Sequence, residues 1–515
     1  MSKLFEYQGK NLLAEGGFKI PRSMIIKSVD DAENVFKEIG AGVLKAQVFT
    51  IGRAALGLVK FPETLEELRS LISEMLSQSI KGYKIETLLY EEKLDIKQEY
   101  FAGITLASGK SSPTLVFSSR GGSGIEEIVS KYPESVFFLD INPDKNLFPF
   151  ELIPLLKNTG IAGKTLNLLS DSLISLVKTA IKTEAKSLEI NPLVLTNKGK
   201  IIAADCHMTV DDYAVFRHPE FGIKIARELG HPPTELEKIA YAVEKDDYRG
   251  TFYFIQLEDN FKRDDGVLGF HGAGGGGSMM SMDALQKFGY KVANFCDTSG
   301  NPPASKIYRA AKIILSQKNI DGYFGSGSGV ASQEQFYSAR GIVKALRELN
   351  LEIPVVFRLG GNGEERAIRI LEDYTKDLRS IIRCYGKDTS VSECAVEMNR
   401  LIENKNINKQ NSFTENNSNN RNLISDYSFK TVTNGTVGFN YALCISCASK
   451  VCISECQSGI LEEKNGVPVL NISKEEASKG KCTECLACEV ECAALGNGGG
   501  RIDLPIPGLD KEGSV

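Results

Sequence analysis

A chain of 515 residues is longer than one hydrophobic core serves and points to roughly two to four domains. Its hydrophobic and charged fractions, 42% and 25%, are those of an ordinary globular protein, and a formal net charge of −5 without any Lys/Arg cluster excludes a nucleic-acid-binding face and a polybasic membrane contact. No apolar run reaches bilayer length, and Met1-Ser2-Lys3-Leu4-Phe5-Glu6 turns polar without a signal core, so the expectation is a cytoplasmic protein.

In chain order, residues 30–39 and 64–78 predict helices, the second opening with Thr64 and Glu67 at capping-box spacing. Residues 42–48, 114–117, 192–196 and 201–204 predict strands, an α+β or α/β alternation that by itself names no fold. From about residue 265 to 375 one pattern recurs three times. Apolar runs at 267–270, 320–324 and 353–359 each pass through a glycine-rich turn into helical spacing, the mark of βα units around a buried parallel sheet. Ligands of such sheets bind at the C-terminal strand ends, where these turns lie. The turn Gly325-Ser326-Gly327-Ser328-Gly329, with Val330 behind it, is expected to open a helix and aim its amides at an anion; a simple tight turn is the plainer reading.

Residues 403–422, ENKNINKQNSFTENNSNNRN, hold almost nothing to bury and predict a flexible linker within 401–430. Such a tether would let residues 431–515 move relative to the body. Eight of the 12 cysteines lie between Cys444 and Cys492, and in a reducing compartment clustered thiols are metal ligands rather than cystines. Cys482-x2-Cys485-x2-Cys488-x3-Cys492 has the spacing of a cubane cluster motif, and Cys444-x2-Cys447-x4-Cys452-x3-Cys456 repeats it with an insertion. A pair of zinc sites is the alternative, less suited to cysteines packed this densely.

These two runs resemble a bacterial two-cluster ferredoxin. The resemblance implies one 4Fe–4S cluster on Cys444, Cys447, Cys452 and Cys492 and a second on Cys456, Cys482, Cys485 and Cys488. Gln457 and Ala493 stand where that motif usually has proline.

Residues 3–385 resemble the β subunit of succinyl-CoA synthetase and related acid–CoA ligases. The resemblance is carried by Leu4-Phe5-Glu6-Tyr7-Gln8-Gly9-Lys10, by Glu189-Ile190-Asn191-Pro192 followed by Asp205, by Ala293-Asn294-Phe295-Cys296-Asp297, and by Val355-Val356-Phe357-Arg358-Leu359. It implies an α/β and α+β multidomain protein: an ATP-grasp domain over 1–235, a flavodoxin-like ligase domain over 236–400, and a small ferredoxin-like domain over 431–515. Lys45, Gly52, Arg53, Ala54, Glu91, Leu94 and Glu99 would bind ATP, the 119–124 loop would close over the phosphates, and Asn191 with Asp205 would hold Mg²⁺. His271 and the Gly325–Val330 stretch would meet substrate and the phosphohistidine of an α-like, CoA-binding partner, since His207, His218, His231 and His271 match no catalytic motif.

The phosphate loop, Val48 through Gly57, lacks several family glycines and has Ala55 where a lysine is expected; His271 replaces an asparagine. Three readings follow. The first is a ligase subunit with ATP and CoA as substrates, in a hetero-oligomer with an α-like subunit and a redox enzyme or ferredoxin as further partner. The second is an electron-transfer scaffold with a silent ATP-grasp body, and the third is ATP-driven electron transfer.

Overall fold

The computed structural model describes every residue except Ile51, 81–82, 107–108, 110–111, Ser123, Glu228, 328–332, 409–424 and 510–515. The chain forms two compact units, Met1–Pro233 and Thr234–Val515.

The first unit carries two main antiparallel sheets and a two-stranded one of Ser79–Ile80 with Tyr83–Lys84. The larger runs in the order Ser2–Leu4, His207–Val210, Ala185–Thr196, Ile96–Thr105, Thr114–Ser118 and Val136–Asp140, with Ile201–Ala203 also paired to Ala185–Thr196. Helix Lys164–Lys182 covers it because Leu169, Leu173, Leu176, Val177 and Ala180 recur at helical spacing and form one buried face. The smaller sheet orders Ser23–Ile26, Leu88–Glu92, Gly42–Ala46 and Val59–Lys60. Helices Ala32–Ile39 and Leu65–Ser77 pack on it, the latter through Leu68, Ile72 and Met75. Thr64 caps that helix by accepting from Glu67 N at 3.2 Å, but the Glu67 carboxylate reaches Glu63 N at 2.8 Å, one residue short of the expected box. Both cap interactions still satisfy amides at or beside the helix start that have no intrahelical partner.

In the second unit, strands Val267–Ala273, Gly322–Gly327, Pro354–Arg358 and Ile381–Tyr385 run parallel, extended by Asn294–Asp297 and an antiparallel edge, Tyr253–Gln256. Helices Gly275–Gln286 and Val391–Asn408 pack on one face through Leu285, Cys394, Met398 and Leu401. Helices Ala304–Leu315, Phe336–Leu349 and Glu364–Asp373 contribute to the core on the other. Two expectations are corrected here. Gly325, Ser326 and Gly327 do not open a helix: they finish a strand in register with His271, Gly272 and Ala273, and among the described residues the next helix starts at Phe336. The proposed linker begins as helix, since Val391–Asn408 continues through residue 408; the rest of that stretch, 409–424, lies outside the described residues.

The cysteine-rich segment builds a three-stranded sheet of Tyr427–Lys430, Thr436–Phe439 and Gly500–Asp503, a hairpin of Leu461–Lys464 with Val467–Leu470, and short helices including Ala487–Leu495. It does not hang free of the ligase-type fold. Phe429, Val437, Phe439, Val490 and Ile502 join Tyr308, Ile342 and Leu346 in one continuous core. The apolar faces that each would otherwise expose are buried against each other. No helix among the described residues is long and apolar enough to cross a membrane.

Candidate functional site

The first unit concentrates charge between its N-terminal helix and the strand ends. Helix Glu6–Glu15 sets Glu6 and Lys10 one turn apart, and Lys10 Nζ lies 2.7 Å from Glu6 Oε1 and 2.6 Å from Glu91 Oε1. Lys45 bridges the same two carboxylates at 2.8 and 2.7 Å, and both ammonium groups donate to Ala204 O at 2.8 Å. Arg53 closes the cluster, 2.6 Å from Glu6 Oε2 and 2.7 Å from Asp205 Oδ1. Three cations thus meet three carboxylates out of water, where each charge is tolerable only because it is paired.

The shifts follow the partners. Burial works to raise the Glu6 carboxyl, yet Lys45, Lys10 and Arg53 hold it below its ordinary value. Burial also opposes ionisation of Asp205, but the His207 hydrogen bond and the charges of Arg53 and Lys45 keep it well below the carboxylate range. His207 Nε2 stands 3.3 Å from Asp205 Oδ2, and that bond raises the imidazole's affinity for a proton. Nearby Glu189 is raised by burial.

Of the residues expected to bind nucleotide, Lys45 and Glu91 meet directly, and Arg53 joins them through Glu6. Gly52 and Ala54 sit exposed in the turn that carries Arg53, Leu94 lies in the link between two strands, and Glu99 is half-buried on strand Ile96–Thr105. Asn191 and Asp205 belong to neighbouring segments whose register pairs Glu189 with His207. The Asn191 amide oxygen accepts from Gly122 N at 3.0 Å, which anchors the 119–124 loop beside it; Ser123 of that loop lies outside the described residues. Glu6, Lys10 and His207 carried no assignment from sequence, although the four-residue spacing of Glu6 and Lys10 signals an ion pair.

In the second unit a recess opens at the C-terminal ends of the parallel strands. His271, Thr298, Ser326, Gly327, Gln335 and Ser338 supply its polar lining, and Ile307, Ile342, Phe357 and Leu359 its apolar wall. This is the ligand edge of an open α/β sheet. His271 is buried, with Nδ1 2.7 Å from Tyr323 Oη and Nε2 3.2 Å from Thr298 Oγ1; burial lowers its pKa to about 4. Gly325 gives the sheet room for the Phe357 ring, since a Cβ there would lie 2.0 Å from Phe357 Cε1. Ser328, Gly329 and Val330 lie outside the described residues.

The cysteines fall into two recesses. One is lined by Cys444, Cys447, Cys452 and Cys492, the other by Cys456, Cys482, Cys485 and Cys488, the two sets that the ferredoxin resemblance implies. Gly500 N points at Cys492 Sγ at 3.4 Å, and Gly499 approaches Cys444 so closely that a Cβ would stand 2.7 Å from its sulfur. Among the described residues, no group of three or more His, Cys, Asp or Glu side chains is placed to hold a metal ion. As they stand, the thiols line two recesses rather than surrounding a single ion.

Comparison with known proteins covers most of the chain. Residues 3–195 match an ATP-grasp domain family, and residues 263–399 match a family described as ATP citrate lyase citrate-binding. The β subunit of a GDP-forming succinate–CoA ligase from Thermus thermophilus is 35% identical over 371 residues, 72% of this chain and 93% of the relative. An ADP-forming counterpart from Archaeoglobus fulgidus is 31% identical over 379 residues, 73% of this chain and 93% of the relative. Among solved structures, an ATP citrate lyase from Methanothrix soehngenii, in complex with citrate and coenzyme A, shares the fold with a TM-score of 0.62 at 21% identity, covering 77% of this chain and 99% of that one.

Proposed function

The chain belongs to the succinate–CoA ligase β-subunit family of ATP-dependent acid–CoA ligases, and on that premise we propose that, with an α-type partner, it couples ATP cleavage to thioester formation from a carboxylic acid and CoA, while its C-terminal module holds two 4Fe–4S clusters for electron transfer. The observation that carries the ligase half is the recess at the strand ends. It offers hydroxyls, a neutral imidazole and backbone groups to a small polar acid, with an apolar wall behind them. His271 is fixed between Tyr323 and Thr298 and kept uncharged, a setting for positioning substrate rather than for carrying a phosphoryl group between sites. The phosphorylatable histidine and the CoA site are therefore assigned to the partner.

At the nucleotide site, Lys45 and Arg53 would exchange carboxylate partners for triphosphate oxygens. Asp205, released by Arg53 and already held ionised, and Asn191 present the hard oxygens that suit Mg²⁺, which would neutralise charge on the phosphoryl group. The donor set of the module fits cubane clusters: four thiols to a recess, and a backbone N–H directed at Cys492 Sγ. Bound there, the clusters would supply one-electron transfer.

One observation favours the second reading, a redox scaffold. Lys45 is already paired with Glu6 and Glu91, and Arg53, in a loop short of glycines, with Glu6 and Asp205, so nucleotide must compete with internal carboxylates. Anaerobic purification followed by iron analysis and calorimetric titration with Mg-ATP separates the two. The expected result is about eight iron atoms per chain and micromolar-to-millimolar ATP binding that weakens at least about tenfold in a folded Lys45→Ala variant. Clusters without nucleotide binding would leave the scaffold reading.

A further inference from the structure

Four glutamates of the module stand next in sequence to a recess cysteine: Glu455 before Cys456, Glu484 before Cys485, Glu489 after Cys488 and Glu491 before Cys492. Each faces a cation of the ligase-type fold. Glu491 accepts from Arg340 at 2.7 Å and from Arg366 at 3.1 Å, and Glu455 accepts from the same two arginines at 3.1 and 2.5 Å. Glu489 is held by Lys344 at 2.8 Å and Glu484 by Arg249 at 2.6 Å. Arg340, Lys344, Glu484 and Glu491 are each no more than 3% exposed. In a ligase-type fold standing alone, Arg340 and Lys344 would belong to the solvated face of an amphipathic helix.

The helices that grip the module also wall the acid recess. Arg340 and Lys344 lie on Phe336–Leu349, which supplies Ser338 and Ile342 to the recess. Arg249 donates to Ser305 Oγ at 3.3 Å, at the start of Ala304–Leu315, the helix that supplies Ile307.

We propose that this docked face is a coupling surface through which cluster oxidation state and acid binding influence each other, with Arg249, Arg340 and Lys344 as its positioning residues. The inference rests on the acid-recess and iron–sulfur readings above. Reduction adds one electron, drawn from an external reductant, to a cluster without gain or loss of atoms. A bound carboxylate brings negative charge to the other side of the same two buried helices. Like charges in a poorly screened interior oppose each other. An acid in the recess therefore makes reduction harder, and reduction weakens acid binding by the same factor.

The test is an anaerobic, EPR-monitored dithionite titration of the full cluster-loaded chain, with and without saturating citrate or succinate, paired with calorimetry of each acid on oxidised and reduced protein. The expected result for at least one acid is about tenfold weaker binding to the reduced form and a midpoint lowered by the equivalent 59 mV of a one-electron couple. Lys344→Met and Arg340→Met shrink that shift at unchanged iron content. Arg340→Lys, which keeps the charge, retains part of it and guards against simple misfolding of the methionine variant. Iron-free protein that stays colourless on reconstitution overturns the iron–sulfur reading. Neither acid binding overturns the recess reading and the coupling with it. Clusters present, acid bound and an unmoved midpoint overturn the coupling alone.

Discussion

His271 lies two residues before the end of strand Val267–Ala273 with only 4% of its surface exposed, its two ring nitrogens taken up by Tyr323 and Thr298. Burial lowers its pKa from 6.5 to about 4, so the folded chain refuses a proton that the unfolded chain accepts. The stability this group permits is complete above pH 6.5 and is lost as pH falls towards 4, by up to about 3 kcal/mol. Urea unfolding at pH 7, 5.5 and 4.5 should show that loss, and His271→Asn should flatten it. Equal pH slopes in the two proteins would mean that another group titrates. The sequence marks His271 as a histidine in a glycine-rich turn, but Tyr323 and Thr298 stand 52 and 27 residues away. Parallel sheets join such residues only through crossovers, so the polar ring around the histidine is invisible to local pattern. The same holds for the charged cluster, where Glu6 and Lys10 show their spacing in sequence while Glu91 arrives from a distant strand and Asp205 from the connection between two others.

Among the elements, the parallel βα repeat was legible because buried strands read as short apolar runs bounded by glycine. Its one misjudged boundary comes from the same residues. Gly325-Ser326-Gly327 resembles a turn, yet the sheet uses it as strand, since Gly325 must leave space for the Phe357 ring. Gly325→Ala is expected to push that buried ring aside and destabilise the second unit by about 2 kcal/mol. Because Phe357 also lines the recess proposed to take the acid, the variant should, on that reading, bind a carboxylate more weakly than the wild type. Calorimetry and denaturant unfolding on one preparation check both. A variant of unchanged stability would show that strand and ring shift at little cost.

At the scale of the molecule, the cysteine spacing and the Asn-rich stretch marked off a cysteine-rich segment, and the ferredoxin resemblance implied its two cysteine sets, but neither revealed its docking. Flexibility of the connection is a statement about residues 403–422, whereas docking depends on surfaces that composition alone does not place. Arg340, Lys344 and Arg366 on the helices, with Arg249 beside them, and four glutamates beside the cysteines form the complementary pair, with Phe429, Val437 and Ile502 closing the core beneath them. A shared core makes one cooperative unit, in which helix Phe336–Leu349 and helix Ala487–Leu495 open together. Hydrogen exchange read by mass spectrometry on the anaerobically purified full chain should give their slowest amides the same opening free energy. On the iron–sulfur reading proposed above, stripping the iron with a chelator should then raise exchange in Phe336–Leu349 as well as in the module, because Glu455 and Glu491 lose the ordered backbone that holds them against Arg340. Exchange that rises in the module while Phe336–Leu349 stays protected would instead describe two bodies that merely touch, each with its own core.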